Sequence, residues 1–210
     1  MPVVSVGNLT FGGTGKTPTT VALVRDLARR GHRPGVLTRG YGRRDGSPQV
    51  VVGPAPRTRP ELVGDEPLEM AARLPGVPIV VDADRARGAA EATVRGADVL
   101  VLDDGFQHLR LERDLDLVCL DVHDLEDRPL PAGRLREGPE ALARADLILL
   151  SRLEAATEEE RADSTRKTVI IRIGDLPVPG TPVVHRDLQV RPLRGGHGRV
   201  SFRILWNGVH

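Results

Sequence analysis

Cysteine is nearly missing from this chain. Cys119 is the single one in 210 residues, which excludes a disulfide framework and predicts a buried structural thiol in a reducing compartment. Aromatic residues amount to 2%. Proteins that hold single-stranded nucleic acid stack bases on aromatic rings, so this scarcity argues against a nucleic-acid partner. The formal net charge of +1 agrees, since it offers no bulk field to draw a polyanion. No apolar run approaches the roughly 20 residues that span a bilayer, and the chain opens in a core strand rather than in a charged-then-apolar leader. Together these predict a cytoplasmic protein. Internal repeats and low-complexity tracts are lacking too, and the short cluster Glu158-Glu159-Glu160 reads as a solvated helix face. Lysine is the last scarcity, with Lys16 and Lys167 the only two among 30 basic residues.

What is present centres on Lys16. The apolar run Val3-Val4-Ser5-Val6 leads to Gly12-Gly13-Thr14-Gly15-Lys16-Thr17, and a helical pattern opens at Pro18. Strand, glycine-rich loop, Lys-Thr and helix is the layout of a phosphate-binding loop. Small residues let successive backbone N–H groups turn inward around phosphate oxygens at the positive end of the helix. Lys16 adds a full charge, and Thr17 offers a hydroxyl to Mg²⁺. An ammonium is a compact point charge that fits a phosphate-sized loop, whereas guanidinium is a planar fork, so a lysine here in an arginine-rich chain has a physical reason. The usual pattern places glycine where this chain has Thr10. A glycine-rich turn followed by chance by a lysine is the alternative.

The rest reads as alternating strands and helices. Val21, Leu23, Val24, Leu27 and Ala28 recur at helical spacing until Gly31 ends the helix, and Pro34–Thr38 is a short strand. The loop Arg39-Gly40-Tyr41-Gly42-Arg43-Arg44 follows at the strand's C-terminal end, where open α/β sheets bind ligands. It is read either as an anion contact or as a polar turn. Gln49–Val52 is a short extended piece, and Gly53 to Pro60 a Pro-rich loop. Gly64-Asp65-Glu66-Pro67 opens a helix carrying Leu68, Met70, Ala71 and Leu74, and by itself it reads as a helix cap.

Val77–Val81 is a buried-strand run, and Asp84-Arg85-Ala86-Arg87-Gly88 leads into a helix reaching Arg95. The run from Ala97 to Leu102 ends in Asp103-Asp104-Gly105. A carboxylate at such a strand tip can hold Mg²⁺ directly or through water, which is what a phosphate-loop enzyme needs as the second half of its site. An Asp/Gly turn is the plainer reading. His108, just beyond, is a candidate for contacting phosphate or substrate. Asp116–Asp121 and Asp146–Leu150 are further strands, and Pro131–Pro139, rich in breakers, suits an anion-binding loop. Beyond Ser151, residues 155–163 look like an exposed helix and Thr168–Ile173 like a strand. Residues 174–181 form a Pro/Gly connection, and the tail from His185 has no readable period.

The predicted fold is therefore α/β, a three-layer α/β/α domain like the phosphate-loop NTPases with a mostly parallel sheet, followed by a short irregular C-terminal segment. The expected division is a kinase domain over 1–152 and an incomplete, poorly defined segment over 153–210.

Taken in order, Val6–Thr10 with Gly12–Pro18, Arg39–Gly42, Gly64–Pro67, Asp84-Arg85, Asp103–His108 and Pro131–Glu137 resemble the tetraacyldisaccharide 4′-kinase (lipid A 4′-kinase) family over about residues 2 to 152. That family also carries Thr at the position of Thr10. The resemblance implies ATP-dependent phosphorylation of the 4′-hydroxyl of a tetraacyl glucosamine disaccharide 1-phosphate, a lipid A precursor, with ATP and Mg²⁺ as cofactors. It implies a peripheral location at the inner face of the cytoplasmic membrane.

Residue by residue, it implies catalytic roles for Lys16, Asp65, Asp104 and His108. Nucleotide contacts fall to Thr10, Phe11, Gly12, Gly13, Thr14, Gly15, Lys16, Thr17, Arg85, Arg136 and Glu137, and metal contacts to Thr17, Glu66 and Asp103. Family members usually carry a membrane-associating helical segment before the first strand and a second domain after the last, so a truncated member is expected. Two other readings stand beside it: a phosphate-loop kinase or synthetase with a soluble substrate, and a nucleotide-binding fragment without catalysis.

Overall fold

The computed structural model describes residues 1–41, 43, 47–53, 60–121, 124 and 127–151, with strand backbones at 168–172, 187–188 and 202–205. The expected helix at 155–163, the connection at 174–181, most of the Pro-rich loop after Gly53, and Gly42 and Arg44 of the arginine loop lie outside these residues. Two compact units are present, one formed by residues 1–8 and 15–116 and the other by residues 9–14 and 117–210.

The first unit contains β1 (Val3–Gly7), α1 (Lys16–Arg29), β2 (Pro34–Thr38), β3 (Gln49–Val51), α2 (Pro60–Val63), α3 (Asp65–Arg73), β4 (Ile79–Val81), α4 (Arg85–Val94) and β5 (Val99–Asp103). Its strands run in the order β3-β4-β2-β5-β1. Four are parallel, and the edge strand β3 is antiparallel to β4. Parallel strands buried on both faces read as continuous apolar runs, which is why β2, β4 and β5 are legible as sequence.

Strand alternation assigns the helices to faces. Leu37, Val80, Leu100 and Leu102 form one core cluster with Ala92 of α4. A Cβ on Gly35 would lie 3.3 Å from the Ala92 Cβ, so α4 covers that face. Asp103, of the opposite parity to Leu102, accepts a hydrogen bond from Thr20 of α1. Helices α1 and α3 pack on each other and on that second face. The expected three layers are present.

The second unit contains β6 (Leu115–Asp121) from Leu117 onward, a 3-10 helical segment Pro139–Arg144, β7 (Leu147–Ser151), β8 (Thr168–Arg172), β9 (Asp187–Leu188) and β10 (Phe202–Leu205). β6 and β7 are parallel, and β8, β10 and β9 continue antiparallel in that order. The tail that showed no period in the sequence thus supplies two short strands, too short for an alternation pattern to register.

Candidate phosphate-binding site

The path from β1 to α1 carries the loop. Gly15 sits at φ +87°, a left-handed conformation that glycine adopts without a Cβ penalty, and it stands at the N-cap of α1. No side chain caps that helix, and its first turn holds no acid, so its first N–H groups are left to an external anion. Thr19 turns its hydroxyl back to the Gly15 carbonyl (2.8 Å), and Thr17, half-buried, makes no side-chain hydrogen bond to a described residue.

Within the first unit, Lys16 faces the acids at the tip of β5. Its Nζ lies 3.5 Å from Asp104 Oδ1. Asp104 is the one described non-glycine residue with positive φ, +56°. That turn brings its side chain to the lysine while Gly105 N donates back to the Val6 carbonyl. The tip is clamped against β1, because a Cβ on Gly7 would fall 2.4 Å from the Phe106 Cβ and 2.8 Å from its backbone nitrogen. Phe106 is fully buried, and such a ring contributes about 3–5 kcal/mol when truncated to alanine. Strain in the backbone, observed here at Asp104, is a common mark of functional turns.

Asp103 is buried, and Thr20 Oγ1 donates to its Oδ1 at 3.0 Å. Burial pushes its carboxyl up to about 6, with the Thr20 hydrogen bond opposing and the Glu66 and Asp104 charges adding to the rise. A carboxylate destabilised by burial and by two like charges is one that gains from a cation. Among the described residues no three His, Cys, Asp or Glu side chains converge as a ready-made metal cage. The buried Asp103 carboxylate fits Mg²⁺, which typically takes one or two carboxylates and completes its shell with phosphate oxygens and water. Asp103 and Glu66, with the Thr17 hydroxyl, are the donors this chain offers.

Asp65 and Glu66 occupy the first turn of α3, both exposed. The N-cap there is Gly64 at φ +87°, with no side-chain cap bond. Neither acid is the N-cap itself, and both stand in the first turn, where the helix dipole favours negative charge.

Arg85 begins α4 and is 3% exposed. Burial lowers its pKa, while the Asp104, Asp103 and Asp82 carboxylates favour its charge and Arg39 opposes it. His108 is held below the ordinary histidine value by burial first and then by Arg85, Arg110, Arg113 and Arg39, so it is neutral at neutral pH. Its carbonyl accepts from Arg113, which is itself paired with the buried Asp116.

The second unit holds Thr10–Thr14, Arg136 and Glu137. Thr10 forms an antiparallel bridge with Leu135, flanked by Phe11 N to the Arg134 carbonyl (2.9 Å) and Arg136 N to the Leu9 carbonyl (2.6 Å). An extended, bridged residue needs no positive φ, which accounts for threonine where the usual loop has glycine. The Arg136 guanidinium lies 4.5 Å from the Phe11 ring centroid, a cation–π distance. The Glu137 carboxylate accepts from Arg144 at both oxygens (2.9 and 2.8 Å).

Two residues of this arrangement escape a sequence reading. Thr20 carried a signal, since it stands one helical turn beyond Thr17. So did Asp82, an acid just past an apolar strand as Asp103 ends one.

The family model described as Tetraacyldisaccharide-1-P 4'-kinase matches residues 1–193. A tetraacyldisaccharide 4'-kinase of Anaeromyxobacter dehalogenans (strain 2CP-C) is 45% identical over 183 residues, covering 84% of this chain and 48% of that protein. The same-named protein of Stenotrophomonas maltophilia (strain R551-3) is 39% identical over 213 residues, covering 100% of this chain and 58% of its own length. Similarity thus continues past residue 152, into the tail whose sequence has no readable period. A crystal structure of the "apo" form of LpxK from Aquifex aeolicus in complex with ATP superposes with a TM-score of 0.69 at 42% identity, over 74% of this chain and 50% of that one. The chain spans about half the length of the curated relatives it matches.

Proposed function

This chain belongs to the tetraacyldisaccharide-1-P 4'-kinase family, and from that premise we propose that it binds Mg·ATP and transfers the γ-phosphoryl group to the 4′-hydroxyl of a tetraacyl glucosamine disaccharide 1-phosphate. The observation that carries this is the pairing of Lys16 with Asp104 beside the buried Asp103 at the start of an uncapped helix.

Phosphoryl transfer needs little more than cations at the oxygens and an acceptor for one proton. Lys16 and the first N–H groups of α1 neutralise the β- and γ-phosphates. Bound Mg²⁺ supplies further charge neutralisation on those oxygens, and Asp103, Glu66 and Thr17 are the residues that would hold it. Asp65, exposed at the start of α3, accepts the proton of the attacking hydroxyl. Asp104 orients Lys16, and neutral His108 serves as a hydrogen-bonding group rather than as a cation. Arg85 faces the phosphoryl group. For Thr10–Gly15, Arg136 and Glu137 the family resemblance is the ground on which we assign nucleotide contacts. We assign residues 1–152 to the kinase domain and 153–210 to an incomplete C-terminal segment.

Among the described residues no helix is long and apolar enough to cross a membrane. We place the protein at the cytoplasmic face of the inner membrane as a peripheral protein, where its acylated acceptor resides. The test incubates the purified chain with Mg²⁺, γ-labelled ATP and the tetraacyl disaccharide 1-phosphate. The expected product is the acceptor with one added phosphate at the 4′ position. Label transferred only to a soluble alcohol or only to water contradicts the proposal.

A further inference from the structure

Arg85 raises a question that its proposed contact does not answer: what holds a buried guanidinium in place. One of its NH groups donates to the Asp82 carbonyl oxygen at 2.6 Å, while its buried Nε–H has no partner. A buried charged donor left unpaired is costly, and such groups persist where a ligand completes them.

Asp82 follows β4 directly and is fully buried. Its carboxylate accepts from Arg87 Nε (2.8 Å), from a second Arg87 nitrogen (2.9 Å) and from the backbone N–H of Asp84 (2.9 Å). Asp84 in turn caps α4, accepting from the N–H groups of Ala86 and Arg87. A Cβ on Gly88 would lie 2.4 Å from a Leu37 methyl and 3.2 Å from the Asp82 Cβ, so the first turn of α4 is seated directly on the strand tips. Asp82 therefore grips both sides of Arg85: its carboxylate fixes residues 84 and 87, and its carbonyl fixes the guanidinium between them.

We propose that Asp82 and Arg87 form a positioning clasp that aims the unpaired Nε–H of Arg85 at the terminal phosphoryl group of bound nucleotide. The inference rests on the functional reading above. The Asp104 carboxylate favours the charge of Arg85, and the same carboxylate stands 3.5 Å from Lys16. Both cations thus gather about the one carboxylate at the tip of β5. Asp82 and Arg87 act through Arg85.

The test measures Mg·ATP and Mg·ADP affinities by titration calorimetry for the unaltered chain, Asp82→Asn, Arg87→Gln, Arg85→Met and the two double variants carrying Arg85→Met. Each clasp variant is expected to weaken ATP binding about 10-fold, the size of one charge-assisted hydrogen bond, and ADP binding less than about 2-fold. In the Arg85→Met background the same changes should add nothing, since coupled residues are not additive. The Arg87 side chain is 53% exposed, so Arg87→Gln keeps the test open if Asp82→Asn does not fold. Equal weakening of ATP and ADP, an unchanged ratio in Arg87→Gln, or multiplied losses in the double variants would each overturn the clasp. Failure of the unaltered chain to bind ATP would overturn the functional reading and the clasp together.

Discussion

Lys16 Nζ stands 3.5 Å from Asp104 Oδ1, and Asp104 reaches that position through a left-handed backbone at φ +56°. Asparagine tolerates this backbone, whereas alanine does not. Asp104→Asn is expected to change stability by less than about 1 kcal/mol, because the pair is partly solvated, while phosphoryl transfer falls by about 10²-fold. Asp104→Ala should lose transfer equally and a further ~1 kcal/mol of stability. Denaturant melts alongside initial rates separate the two effects.

The clamp between β1 and the acidic turn gives a second expectation. In Gly7→Ala the added methyl meets the Phe106 backbone nitrogen at 2.8 Å as well as its Cβ at 2.4 Å, and backbone cannot swing aside as a flexible side chain can. Stability should fall by about 1–3 kcal/mol, and ATP affinity should fall with it because the displaced turn carries Asp103 and Asp104. A variant with native stability and native affinity would show that the close approach is unimportant.

Asp82 gives a pH dependence. Burial disfavours its ionised form, but the Arg87 hydrogen bonds, the Asp84 N–H and the charges of Arg87 and Arg43 outweigh burial and hold its carboxyl below the ordinary range. A carboxyl with a depressed folded pKa contributes stability that is present above its unfolded value, near 3.9, and lost as pH falls through the folded one. The unaltered chain should therefore exceed Asp82→Asn by about 1–3 kcal/mol at pH 7. The gap should close as pH falls below about 4. Urea melts from pH 3 to pH 8 read this directly, and a gap that widens on acidification has the wrong sign.

The legible parts of this protein are those where local chemistry and global fold ask for the same residues. β2 begins and ends at Pro34 and Thr38 as its apolar run predicts, and β5 ends in the acid expected at its tip. Lys16 and the β5 acids could be expected near each other because their charges are opposite, and Lys16 Nζ lies 3.5 Å from Asp104. Long-range relationships were harder. That Thr10 is bridged to Leu135, 125 positions away by the numbering, explains its departure from the usual glycine, yet nothing local to Thr10 encodes it. Asp82 reads as an ordinary strand-to-helix residue until α4 is folded back over it. The short strands Asp187–Leu188 and Phe202–Leu205 offer too few residues for a period to emerge.

The central claim is that Lys16 and the helix it opens form a site for Mg·ATP. Thermal unfolding of the unaltered chain and of Lys16→Ala, each with and without Mg·ATP, tests it most directly. At 100 times its dissociation constant the nucleotide should stabilise the unaltered chain by roughly 2.7 kcal/mol, and the same concentration should leave Lys16→Ala unshifted. An unaltered chain that gains nothing, or a Lys16→Ala chain that gains as much, contradicts the account.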